Sequence, residues 1–376
     1  MFDLVSFRKY LHQNPELSGA EYETQKYLIG HLEKLGLNYT KLANTGLLIS
    51  FKTKEAGKSL LIRADMDALA IQEEGNSRYA SKNKGVSHKC GHDGHMTVLM
   101  ALVYYFSEQP LKAGSLHLLF QPSEEDGKGA ASVLRDPKFQ LIHYDRAYAF
   151  HNIPGFKLGE VFWRNGNFTA GVRSLIFRFK GYSSHAAEPE KARSPQALLA
   201  KAMQSLEKLA NPYWEKEDFS QISLVHARLG EAAYGITPGK GELHYTIRAW
   251  KGPILDALEE KMHQQLKEWA DLENLKIEKE SLPEFWPNFN SAAAKKAIIA
   301  CADEQGIGHH PLEEAFRWGE DFGLFLKDKE GALFGIGAGE EHLVLHHPAY
   351  DFPDAILKPT ISLFKTLILN YLNGKY

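Results

Sequence analysis

Cysteine is scarce in this 376-residue chain, which has only Cys90 and Cys301. A disulfide framework is therefore excluded as the main source of stability. Cys301 lies in the apolar stretch Ala297-Ile298-Ile299-Ala300-Cys301-Ala302 and reads as a buried core residue. Long apolar runs are missing: none approaches the roughly 18 residues that span a bilayer. Met1-Phe2-Asp3-Leu4 is not a basic region leading into an apolar one, so no signal peptide is visible. Both absences lead to the expectation of a cytoplasmic protein with no membrane partner. There is no excess of one charge either. Lys and Arg number 44 against 47 Asp and Glu, a net −3, and the basic residues are scattered. That gives no electrostatic footprint for nucleic acid. Internal repeats and low-complexity tracts are also absent. With 44% hydrophobic and 24% charged residues, the composition is that of an ordinary folded protein.

The length exceeds what one core usually fills, so two domains are expected. Amphipathic helix is expected from Phe7 to Leu35, on both sides of Asn14-Pro15. Apolar strands and helices then alternate: strands at Ser59–Ala64, Ser115–Gln121 and Arg146–Phe150, a helix at Met96–Phe106. This pattern predicts an α/β fold with a mainly parallel sheet and helices on both faces. Ligands in such sheets bind beyond the carboxyl ends of the strands. Asp65, Asp67, Glu124, Glu125 and His151 all fall at those ends. The middle third changes character. Strands at Arg173–Lys180, Gln221–Leu229, Gly241–Arg248 and Leu275–Leu282, with helices at Pro195–Ala210 and Leu255–Trp269, give the order β-α-β-β-α-β of a ferredoxin-like α+β unit. Helix and strand signals of the first type resume at Ser291–Gln305 and Ala332–Gly337. The expected organisation is a discontinuous catalytic domain, 1–170 and 286–376, with an inserted domain at 171–285.

The richest chemistry lies in Ser87-His88-Lys89-Cys90-Gly91-His92-Asp93-Gly94-His95. Thiolate and imidazole together suit zinc and also accept manganese, cobalt or nickel. On extended backbone, Cys90 and His92 would share one face. A structural zinc site needs four ligands in paired clusters, and no second pair exists. Glu124 and Glu125 follow an apolar strand; on extended backbone they would point opposite ways, one towards a metal and one towards substrate water. His151 ends another strand, and one of the adjacent His346 and His347 could complete a site. Together these residues point to metal-assisted hydrolysis. Two rival readings stand beside it. In one, Cys90 acts as the nucleophile of a cysteine hydrolase, which leaves the glutamates without a role. In the other, the chain is a non-catalytic metal or small-ligand binder, which has no need of a base.

In their order along the chain, several segments resemble the di-metal amidohydrolases of the aminoacylase and carboxypeptidase superfamily. They are Leu11-His12-Gln13-Asn14-Pro15-Glu16-Leu17, Arg63-Ala64-Asp65-Met66-Asp67-Ala68-Leu69, His88-Lys89-Cys90-Gly91-His92-Asp93-Gly94-His95, Phe120-Gln121-Pro122-Ser123-Glu124-Glu125, Ser184-His185-Ala186-Ala187, Gly319-Glu320-Asp321-Phe322 and Leu345-His346-His347-Pro348. The nearest branch holds hippurate hydrolase, N-acetyldiaminopimelate deacetylase and the auxin-conjugate hydrolases. The resemblance implies two divalent ions per subunit (zinc, manganese, cobalt or nickel) on Cys90, His92, Glu125, His151 and His346. It implies Glu124 as general base to a metal-activated water and Asp67 as the carboxylate that orients a ligand. His185 is implied as an oxyanion-binding residue serving the other subunit of a homodimer formed through the inserted lid domain, and Arg248 as a substrate contact. The implied substrate is a small N-acyl amino acid; a dipeptidase or carboxypeptidase on the same site is the alternative. Three positions depart from the family pattern: Gly235-Ile236-Thr237-Pro238 stands for Asn-Val-Ile-Pro, Glu190 for a histidine, and Lys89 for a small residue.

Overall fold

The computed structural model describes residues 2–75 and 78–376. They divide into two compact units. One runs through Phe168 and resumes at Asn288–Ala315 and Glu320–Tyr376; the other is Thr169–Pro287 with Phe316–Gly319.

The first unit is built on an eight-stranded sheet. Its four central strands, Ser115–Gln121, Ser59–Asp65, Arg146–Pro154 and Glu330–Gly339, are parallel to one another in that order. Every residue of Ser59–Asp65 is buried, as in a central strand covered on both faces. Leu60, Ile62, Leu118 and Phe334 join a core shared with the helices His92–Glu108, Ala292–Gln305 and Leu357–Leu372. The alternating Leu61, Leu119, Ala147 and Leu333 are buried as well. Short helices at Gly129–Arg135 and Gly323–Leu326 lie against strands Ser115–Gln121 and Glu330–Gly339. The flanks are not parallel: Gly46–Lys52 runs antiparallel to Ser115–Gln121, and Val161–Trp163 antiparallel to Glu330–Gly339. Helix Ala292–Gln305 has both end signals in the sequence. The Ser291 side chain accepts from the Ala294 N–H at 3.2 Å, and Gly306 closes the helix at φ +64°.

Two element boundaries differ from the sequence expectation in ways that matter. The helix expected from Met96 begins at His92, and the strand expected to end at Phe150 continues to Pro154.

The second unit is a four-stranded antiparallel sheet in the spatial order Ser220–Leu229, Lys240–Ala249, Gly171–Lys180, Lys276–Ser281. With helices Gln196–Ser205 and Gly252–Leu272, its chain order is β-α-β-β-α-β. Phe177, Leu243, Tyr245, Leu258 and Leu266 fill its core. It takes in more chain than the segment 171–285: Ala170 N–H donates to Phe316 O at 2.9 Å, which ties a later piece of chain to its start. No helix among the described residues is long and apolar enough to cross a membrane.

Candidate metal centre

Strand Ser59–Asp65 ends by presenting Asp65, with Asp67 just beyond it. Cys90 and His92 reach the same region by a sharp turn. Gly91 between them has φ +96°, and a Cβ there would lie 2.6 Å from Asn152 Oδ1, so only glycine fits. The extended backbone expected for this pair is absent: Gly91 caps the helix and His92 is its first residue. Glu124 and Glu125 are likewise not on extended backbone. Their strand stops at Gln121, Ser123 turns the chain at φ +55°, and Gly127 N–H donates to Glu124 O at 2.8 Å. His151 lies inside its strand rather than past its end. His346 adopts φ +67° and is pinned by its N–H to Lys89 O at 2.8 Å. Positive φ at non-glycine residues is strained, and such residues gather at functional sites.

These elements bring five side chains into one ring of contacts. Cys90 Sγ lies 3.5 Å from His151 Nε2 and 3.4 Å from His346 Nε2. Glu125 Oε1 is 3.7 Å from His346 Nε2 and 3.7 Å from His92 Nε2. Glu124 offers an oxygen within 4.8 Å of ligand atoms of both His92 and Glu125. Of the adjacent histidines, His346 faces Cys90, whereas His347 Nδ1 accepts from Ala349 N–H within its own loop at 3.1 Å. Asp67 braces this ring. His92 Nδ1 donates to the Asp67 carbonyl at 2.9 Å, and Asp67 Oδ2 accepts from Glu125 N–H at 2.9 Å and Ser18 Oγ–H at 2.6 Å. His151 Nδ1 donates to Asn152 O at 3.0 Å. Both imidazoles thus use Nδ1 as donor and turn Nε2 inward, the arrangement a ligating histidine requires.

The electrostatics expose a missing partner. Burial pushes the Cys90 thiol well up, and burial with Glu320 and Glu125 nearby does the same to the Glu124 carboxyl. Burial raises Glu125 to about 7, against the pull of His92. His92 goes the other way, to about 10: burial opposes its charge, but Asp65, Asp67 and Glu125 outweigh it. Burial pushes His151 well down. Arg63 is a buried cation beside this group of acids, and its N–H groups are taken by Asp65, Glu320 and Asp321 at 2.6–2.9 Å and by Gln121. In the ring and its brace, three buried atoms have no hydrogen-bond partner: His92 Nε2, Glu125 Oε1 and Asp67 Oδ1. Unpaired buried polar atoms are expensive. A divalent cation fits this set, since it takes lone pairs from imidazole, thiolate and carboxylate alike.

The sequence reading passed over several residues behind the ring. His95 Nδ1 pairs with Asp65 at 2.6 Å and its Nε2 with Asn152 Oδ1 at 2.5 Å, so both nitrogens are occupied. Lys89 is buried, with Nζ bonded to Glu73 Oε1 and Tyr350 O at 2.8 Å each. Its only sequence signal was the departure from a small residue at that position. His185 and Arg248 belong to the second unit. His185 is exposed and paired with Ile236. The altered stretch borders it directly, since Gly235 O accepts the Ala186 N–H at 2.9 Å. Arg248 Nε donates to Arg317 O at 3.2 Å.

Comparison with known proteins bears on the whole chain. The model of peptidase family M20/M25/M40 matches residues 61–370. An N-acetyldiaminopimelate deacetylase of Listeria monocytogenes is 28% identical over 347 residues, covering 92% of this chain and 93% of its own. A hippurate hydrolase of Campylobacter jejuni is 30% identical over 379 residues, covering 98% of this chain and 97% of its own. The crystal structure of a dinuclear metal-binding peptidase of the M20 family from Bacillus subtilis superposes with a TM-score of 0.82 at 26% identity, covering 98% of each chain. On these matches, which span nearly its full length, the chain is a hydrolase belonging to peptidase family M20/M25/M40.

Proposed function

We propose that this hydrolase binds two divalent ions and cleaves the amide bond of small N-acyl amino acids. The observation that carries this reading is the ring of Cys90, His92, Glu125, His151 and His346, with His92 Nε2 and Glu125 Oε1 buried and unpartnered. Five ligands exceed what one tetrahedral catalytic ion uses. When bound, the ions supply Lewis-acid polarisation of the acyl oxygen and acidify the attacking water. The chain's own residues do the rest. Glu124 takes the proton from that water and returns it to the leaving amine; its burial-raised proton affinity suits it to hold the proton between the two transfers. Asp67 fixes the His92 tautomer through its carbonyl. Cys90, with its thiol pushed up by burial, is a ligand in this scheme rather than a free nucleophile.

Substrate recognition is assigned to the second unit. His185 stabilises the tetrahedral oxyanion in the site of a partner subunit, and Arg248 pairs with the substrate carboxylate. The two relatives named for deacetylation and for hippurate hydrolysis support the acyl-amino-acid class at 28% and 30% identity. The test is turnover of N-acetyl and N-benzoyl amino acids, their carboxyl amides and dipeptides, after chelation and reconstitution. Cleavage of the free acids only, abolished by chelator and restored by metal, is expected. Equal cleavage of the carboxyl amides would remove carboxylate recognition from the account. Loss of the free-acid preference in Arg248→Ala is expected; if the preference survives, Arg317 is the next cation to test. Dipeptides cleaved in place of acyl amino acids would make the protein a dipeptidase.

A further inference from the structure

The second unit carries another set of ligand-type side chains. In strand Lys240–Ala249 the buried Gly241, Leu243, Tyr245 and Ile247 alternate with more exposed residues, Glu242 and His244 among them, so those two share the outer face of the sheet. Their neighbour Ser220–Leu229 is an edge strand. It starts with Ile222 buried and Leu224 packed on the core. By simple alternation His226 would follow them inward. A bulge between Leu224 and His226 resets the register, so that His226 lies directly opposite His244 on the outer face. Bulges re-aim side chains in this way, often beside functional sites.

The result is a compact triad. His226 Nε2 lies 3.6 Å from Glu242 Oε1, and His244 Nε2 lies 3.8 Å from Glu242 Oε2. Ligand atoms of all three residues fall within 4.8 Å of one another, and the two rings are 4.7 Å apart. These separations are too long for hydrogen bonds. Nitrogen and oxygen ligands at about 2.0–2.2 Å from a tetrahedral ion sit about 3.4 Å from each other, which is close to what is found. His244 Nε2 is buried without a hydrogen-bond partner. Two arginines lie opposite Glu242 in register, and Arg178 forms a long ion pair with its Oε2, but each has a closer acid partner. Arg178 Nε is 3.7 Å from that oxygen while Arg178 bonds Glu280 at 2.7 Å, and Arg228 pairs with Glu231.

We propose that His226, Glu242 and His244 form a metal site separate from the five-ligand ring, taking an imidazole-preferring divalent ion that accepts tetrahedral geometry, zinc above all. The three residues fill three positions of a tetrahedron and leave the fourth to water. The ion ties the edge strand Ser220–Leu229 to Lys240–Ala249 at the bulge.

Equilibrium dialysis of the full chain against buffered Zn²⁺ tests this, comparing the parent with His226→Gln/His244→Gln and with Glu242→Gln. The double variant is expected to bind one equivalent less than the parent, and Glu242→Gln to bind that equivalent more weakly. Equal uptake by the parent and both variants, each with native circular dichroism, overturns the proposal. The difference is read independently of the other centre. A parent total other than three with the one-equivalent difference intact contradicts the two-ion reading and leaves this site standing.

Discussion

At the scale of single residues, the account divides the adjacent glutamates. Glu124→Gln should lower kcat about 10²–10⁴-fold with metal content unchanged, whereas Glu125→Gln should lose metal. Metal analysis beside steady-state kinetics checks both, and swapped phenotypes would reverse the assignment of base and ligand. The proposed ligand types were legible because acids followed apolar strands and a cysteine and histidines crowded one short segment. What lay behind them was not. Arg63 bonds Glu320 and Asp321, 257 and 258 positions away, and no local pattern announces a pairing at that range. That hub gives a stability prediction. Arg63→Met strands Glu320 and Asp321 as buried acids without their cation and removes one of the partners of Asp65, and should destabilise the fold by about 3–5 kcal/mol in urea unfolding. A loss below about 1 kcal/mol would show that the acids relax by taking up protons.

Among elements, strands were easier to read than the turns that carry the chemistry. Ser115–Gln121 was expected and found as such, because a mostly apolar run bounded by turn residues leaves little choice. The pairs Cys90/His92 and Glu124/Glu125 were expected on extended backbone and lie in turns, the first at a helix start. Ser123 and His346 take positive φ without being glycine, and nothing in their side chains signals it. The start of helix His92–Glu108 was placed too late because its first turn is polar. That polar turn holds His92, one of the proposed ligands, and a tight packing contact. A Cβ at Gly94 would meet the Phe352 ring at 2.3 Å. Gly94→Ala should therefore destabilise by about 1–3 kcal/mol despite alanine's better helix propensity. Thermal and urea unfolding measure it, and a stabilised variant would mean that the Phe352 ring moves aside freely.

For the whole molecule, the two-domain plan followed from length and from the change of strand pattern. The join at Phe316–Gly319 was invisible, because a short segment returning to the second unit has no periodicity of its own. The homodimer inferred above has a direct test. Mixing inactive His185→Ala with inactive Glu124→Gln subunits should regenerate active sites once heterodimers form, and confirmed heterodimers without activity would place His185 in its own subunit or outside catalysis. The central claim is that two ions on the five-ligand ring carry the hydrolysis. It is tested most directly by titrating metal-free protein with Mn²⁺ or Zn²⁺ and following cleavage of an N-acyl amino acid. The His226→Gln/His244→Gln background keeps any ion at the triad out of the count. The account predicts that activity rises to a break at two equivalents per chain. Full activity at one equivalent, or undiminished activity in excess chelator, would contradict it.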